Sequence, residues 1–183
     1  MNRFALIVGG LALLAGCRGE QVPTENNQKV GIQASSAKEK DLRTLRRVTA
    51  PFSDFALAKA AHYDTEITPC MSDPTLGGMG FHYGNVGLID GAVQVDQPEL
   101  LLYEPQANGR LKFVAVEYII PYTFIPKDAP APTLFGEAFS QNDTFQLWGL
   151  HVWIAKKNPS GLFAPWNPTV SCSNTTNVSV MHH

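Results

Sequence analysis

ELLLYEPQANGRLKFVAVEYII, residues 99–120, is the stretch on which the fold turns. Glu99–Glu104 and Leu111–Ile120 are rich in aliphatic, β-branched and aromatic residues, and Asn108-Gly109 between them is a strong short-range hairpin signal. The predicted unit is an antiparallel hairpin with Leu101–Pro105 opposite Phe113–Glu117. Met79–Tyr83 upstream and Phe145–Ala155 downstream have the same character and are bounded by Gly, Pro, Asn and Asp. Earlier in the chain the period changes. Leu42, Leu45 and Val48 recur at helical spacing, and Phe52, Phe55, Ala56 and Ala60 continue the stripe toward Tyr63. One amphipathic helix is expected from Asp41 to near His62, with Asp41 or Thr49 as N-cap and Pro51 kinking or splitting it. The fold class is therefore α+β: an N-terminal amphipathic helix on a mostly antiparallel, curved sheet of four or more strands, open to a barrel-like closure.

Composition bounds the rest. With 183 residues, 44% hydrophobic and 16% charged, the chain has the material for one packed domain and is neither collagen, coiled coil nor a disordered polymer. A net charge of −2 argues against a nucleic-acid partner, which would want a basic face. The charge is uneven: Arg18–Arg47 carries seven basic and four acidic residues, and Val48 onward six and twelve. Residues 18–38, polar and nearly free of aromatics, read as a flexible tether, and residues 173–183 as a flexible tail. The Pro-rich segments Lys127–Thr133 and Asn158–Cys172 read as connections, the second ordered by Trp166 and a disulfide.

Met1-Asn2-Arg3 followed by the uncharged apolar run Phe4–Leu14 has the form of an export signal. It ends in Leu14-Ala15-Gly16-Cys17, which resembles the lipobox of bacterial lipoproteins. That resemblance implies removal of residues 1–16, attachment of acyl chains such as palmitate to Cys17, and a tether over 17–40. Arg18, where an Asp would favour inner-membrane retention, implies the outer membrane, facing the periplasm. Acyl chains and a mildly basic proximal stretch are the two signals that stable anchoring needs, although a solvated tether explains the charge equally well. With Cys17 lipidated, Cys70 and Cys172 remain, and in an oxidising compartment they are expected to pair. The alternative is two buried thiols.

The blocks Gly77–Tyr83 (GGMGFHY), Leu102–Pro105, Val116–Tyr118, His151–Trp153, Asn158–Gly161, Trp166–Pro168 and Val170–Cys172 resemble a group of uncharacterised bacterial exported proteins. The resemblance implies only that these blocks belong to a single domain over about residues 41–172.

Several motifs fail on inspection. Gly77-Gly78-Met79-Gly80 leads into a strand, so it lacks the helix N-terminus that a dinucleotide phosphate needs. There is no Walker sequence or nucleophile elbow, and Ser160 has no evident base. One constellation remains: His82, Glu104, Glu117 and His151, one on each predicted strand. Glu104 and Glu117 are expected as near cross-strand neighbours, which a cation would relieve. Two His and two carboxylates suit a divalent transition metal such as Zn, Mn or Fe. A cupin barrel gathers ligands in this way, but no strand here carries His-x-His, and that family is not claimed. The bland alternatives are a metal-free polar pocket or four structurally paired side chains. Tyr83, Tyr103, Tyr118 and Trp153 are candidates to line a ligand pocket, against simple core roles. The functional expectation is a non-catalytic envelope module binding a small ligand, glycan or partner. Its alternatives are a metal-binding protein or metal-dependent enzyme, and a purely structural protein.

Overall fold

The computed structural model describes residues 25–178. The predicted signal, Cys17, the start of the tether and the last residues of the tail lie outside the described residues. Helix α1 spans Glu25–Thr49, so it begins well before Asp41 and replaces most of the expected tether. Residues 29–31 and 33–40 are largely exposed. They are mostly competent helix formers without an apolar stripe, so the hydrophobic pattern gives no sign of them. The helix enters the core where Leu42 and Leu45 bring such a stripe.

Pro51 splits the expected single helix. A 3-10 turn covers Ala50–Ser53, and α2 runs over Phe55–Ala60. The cap is Asp54, whose carboxylate accepts from the Ala56 N–H at 2.9 Å. Thr49 instead turns its hydroxyl back to the Leu45 carbonyl. Past the break the core-facing stripe becomes partly buried Phe52 and Phe55 with buried Ala58 and Tyr63, while Ala56 and Ala60 are exposed.

The strands are β1 (Thr65–Asp73), β2 (Gly77–Gly84), β3 (Leu100–Pro105), β4 (Leu111–Pro121), the short pair β5 (Thr133–Leu134) and β6 (Glu137–Ala138), then β7 (Ser140–Asn142) and β8 (Leu147–Val152). Six of them form one antiparallel sheet in the order β1-β2-β3-β4-β8-β7, curled into a half-barrel. The fold is α+β. β1 was not expected, because Pro69-Cys70 interrupts its alternation, and its pairing with β2 carries register shifts at the same place.

Asn108-Gly109 does lie in the β3–β4 turn, with Gly109 at φ 79° and Asn108 Oδ1 accepting from the Arg110 N–H. The register differs from the expected one. Pro105 pairs with Leu111, Glu104 with Lys112 and Leu100 with Glu117, and a bulge falls between Leu102 and Tyr103. Glu104 and Glu117 are therefore not cross-strand neighbours. Four residues of β3 separate Glu104 from the partner of Glu117, about 13 Å at the usual strand rise.

Alternation divides the sheet into two faces. Phe81, Tyr83, Leu101, Tyr103, Val116, Tyr118, Leu150 and Val152 meet α1 and α2 in the main core. Leu100, Leu102, Ala115, Ile119 and Trp153 occupy the opposite face under a C-terminal strap. That strap, residues 153–172, is irregular but ordered. Gly78 and Asn167 exchange backbone hydrogen bonds at 3.0 Å, and fully buried Asn167 reaches the Lys157 carbonyl and the Thr169 N–H. Gly77 is required here, because a Cβ would come within 2.3 Å of the Asn167 carbonyl oxygen. The Cys70–Cys172 disulfide, closing a sequence separation of 102, ties the end of the strap to β1.

Candidate metal and ligand site

Three of the four sequence candidates converge. His82 on β2 pairs across the sheet with Thr68 on β1, and Glu117 on β4 pairs directly with His151 on β8. All three side chains are buried on the strap face. His82 Nε2 lies 3.5 Å from Glu117 Oε2, and His151 Nδ1 lies 3.7 Å from Glu117 Oε1. Two ligands held at about 2.0–2.2 Å from a tetrahedral ion stand roughly 3.4 Å apart, so both separations are close to the edge of such a shell. One ligand atom from each residue falls within 4.8 Å of the other two. This buried His–Glu–His group can hold a metal ion.

The surroundings fit that use. His82 Nδ1 is 2.8 Å from Thr68 Oγ1, a partner of the kind that orients an imidazole and leaves Nε2 for an ion. His151 stacks against the Trp153 indole, whose N–H donates to the Ala164 carbonyl at 2.6 Å. Gly149 lies beside Glu117, where a Cβ would stand 2.8 Å from Oε1, so the absence of a side chain provides the carboxylate's seat. His151 presents Nδ1 to Glu117, while its other ring nitrogen, Nε2, is buried without a hydrogen-bond partner, a cost that an ion at Nδ1 would not remove.

Electrostatics explain why the group is not an ordinary ion-pair network. Burial lowers His82 to about 4, opposed by a hydrogen bond to the Gly80 backbone. Burial, with His82 adding to it, lowers His151 to about 3. Burial, reinforced by the charge of Glu99, raises Glu117 to about 8. Near neutral pH the imidazoles are uncharged and the carboxyl holds its proton, so neither His–Glu contact is a salt bridge. Each group has lost water without gaining a charged partner. A divalent cation would reverse that cost.

Glu104 shares the face but belongs elsewhere. Both of its oxygens contact Lys156 Nζ at 2.8–2.9 Å, and the Ser171 N–H donates to Oε1. It clamps the strap to β3, as its structural reading anticipates, and is not a ligand of the group. The expected pocket aromatics are corrected as well. Tyr83, Tyr103 and Tyr118 point to the helix side, and their hydroxyls donate to Glu66, the Phe52 carbonyl and the Val95 carbonyl. Their strand parity is opposite to that of the histidines. Trp153 is on the correct face but backs His151 rather than lining the cavity.

The cavity itself, about 520 Å³, opens over the His–Glu–His group. Its apolar wall includes Ile67, Met71, Met79, Leu100, Phe145 and Leu147, and its polar rim includes Gln141, Asn142 and Thr144. Much of this wall comes from β1 and the β7–β8 hairpin, and neither segment carries a distinctive ligand-binding motif. Thr68 and Gly149 likewise give no signal until the strands are placed side by side.

Fold and site together define a half-barrel α+β domain with a buried two-histidine, one-carboxylate group beneath an apolar cavity. No protein family, curated protein or solved structure matches the chain.

Proposed function

We propose that this protein is a binding module of the bacterial envelope that uses a divalent metal at His82, Glu117 and His151 to hold a small molecule in the overlying cavity. The observation that carries this reading is the convergence of the three buried side chains, with a ligand atom of each within 4.8 Å of the other two, at the floor of a cavity of ligand size. Imidazole and carboxylate donors suit Zn, Mn or Fe, and three protein ligands leave positions open for a bound molecule. The address rests on the sequence: a charged start, an apolar run and Leu14–Cys17 support export and lipid anchoring at the outer membrane. Among the described residues no helix is long and apolar enough to cross a membrane.

Metal analysis of the full-length protein tests the reading. About one equivalent of Zn, Mn or Fe is expected, with loss of at least tenfold in affinity on His151→Ala and on Glu117→Gln. A chain that takes up no divalent metal, or takes it up equally after both substitutions, would sink the proposal.

A further inference from the structure

Resting on the metal reading above, we infer that the ligand is a small monoanion with an apolar body, whose anionic oxygen completes the metal's coordination while the body fills the cavity. The inference follows from a charge count and from the walls. A divalent ion held by one carboxylate and two neutral imidazoles has a net charge of +1. That charge would sit on side chains with at most 9% relative exposure. In a medium of low polarity an uncompensated charge is costly, so the open position favours one negative donor.

The nearest protein cation, Lys38, is already engaged by a residue of the cavity wall. Among the described residues that line it there is no Lys or Arg, and the one acid besides Glu117 is Glu137, which pairs with Lys38 at 2.7 Å. An anionic head therefore has no stable place there unless the metal is present. Hydroxide would also balance the charge, but it would leave the walls of Ile67, Met71, Met79, Leu100 and Leu147 wet. A ligand with an apolar tail removes that surface from water and gains roughly 25 cal/mol per Å². At ~30 Å³ per water-sized group, the cavity accepts a body on the order of fifteen non-hydrogen atoms. Half-exposed Phe145, on the cavity wall, offers a face for a ring. The ligand class is thus an arylalkanoic or medium-chain carboxylate.

Cobalt(II) provides a readout, since its visible bands report the shell directly. Full-length protein in detergent is first titrated with cobalt alone, then with 3-phenylpropionate, 3-phenylpropanol or acetate. Phenylpropionate is expected to change the cobalt bands at a concentration at least tenfold below that of acetate. The alcohol should leave the bands unchanged, and metal-free protein should bind phenylpropionate at least tenfold more weakly than the cobalt form. Cobalt uptake with equal responses to acetate and phenylpropionate, or equal phenylpropionate binding with and without metal, overturns this inference and leaves the metal reading intact. Absence of any divalent-metal uptake, by metal analysis of the same protein, overturns both.

Discussion

The two faces of the half-barrel are made from alternate residues of the same strands, yet they are finished in opposite ways. On the helix side, Tyr83 and Tyr103 pack around Phe55 at ring distances of 4.6 and 5.0 Å, and their hydroxyls, like that of Tyr118, all find acceptors. Each aromatic body is dry and each polar tip is satisfied, which is how a core gains from tyrosine. On the strap side the same sheet buries His82, Glu117 and His151 with poorly matched contacts and one orphaned nitrogen. The first face is built for stability. The second keeps a cost that a packed Leu or Met would avoid, and a cation held by Glu117 and the two imidazoles, as proposed above, would offset the part borne by the atoms facing it.

The largest effect should come from releasing the cover of the strap face. Replacing Cys70 and Cys172 by Ala removes a cross-link across 102 residues, and urea unfolding should show a loss of about 4–5 kcal/mol. An unchanged midpoint would mean that the strap holds without the bond.

A matched pair of substitutions tests the contrast between the faces directly. Leu101→Ala, on the fully buried helix side, should cost about 2–5 kcal/mol in the metal-free protein. Glu117→Leu, one strand away on the other side, should be neutral or raise stability by about 1–3 kcal/mol, because it removes a buried carboxyl with no good partner. It should also abolish metal uptake. If Glu117→Leu destabilises the metal-free protein as much as Leu101→Ala does, both faces are structural and the distinction fails.

The smallest effect is a pH slope. Burial, with Asp90 adding to it, raises Glu99 to about 8 against the opposing amides of Glu99 and Ile119, and Glu117 is raised similarly. A carboxyl that holds its proton more tightly when folded contributes stability that is present at low pH and lost as pH rises through about 8. His82 and His151, lowered on folding, contribute stability that is present above 6.5 and lost as pH falls toward about 4 and 3. Above 6.5 the carboxyls alone act. Chelator-treated protein should therefore lose about 1 kcal/mol per pH unit per carboxyl between 6.5 and 8. Glu99→Gln should remove its share of that slope, and a flat profile in the parent protein would contradict the burial of these acids.

The alternation of residues in β3, β4 and β8 was legible in the sequence, and with it the fact that His151 and Leu150 must face opposite ways. So were the turn at Asn108-Gly109, the break at Pro51 and the cysteine pair. The start of α1 was not, because residues 25–40 form helix without an apolar stripe to mark it. The place of Glu104 was not legible either. The short turn sets Glu104 opposite Lys112, and its partner Lys156 arrives with the strap, 52 positions along the chain, which no local pattern in LKFVAVEYII marks.

By itself the sequence determined the α+β class, the strand parity and the short list from which the site is drawn, because propensity and periodicity act over a few neighbouring residues. Long-range packing settles that His82, Glu117 and His151 meet while Glu104 goes to Lys156, and that the tyrosines belong to the helix side. Those outcomes depend on strand order, on the bulge between Leu102 and Tyr103, and on where the strap returns. They are contacts between residues tens of positions apart, and local pattern does not encode them.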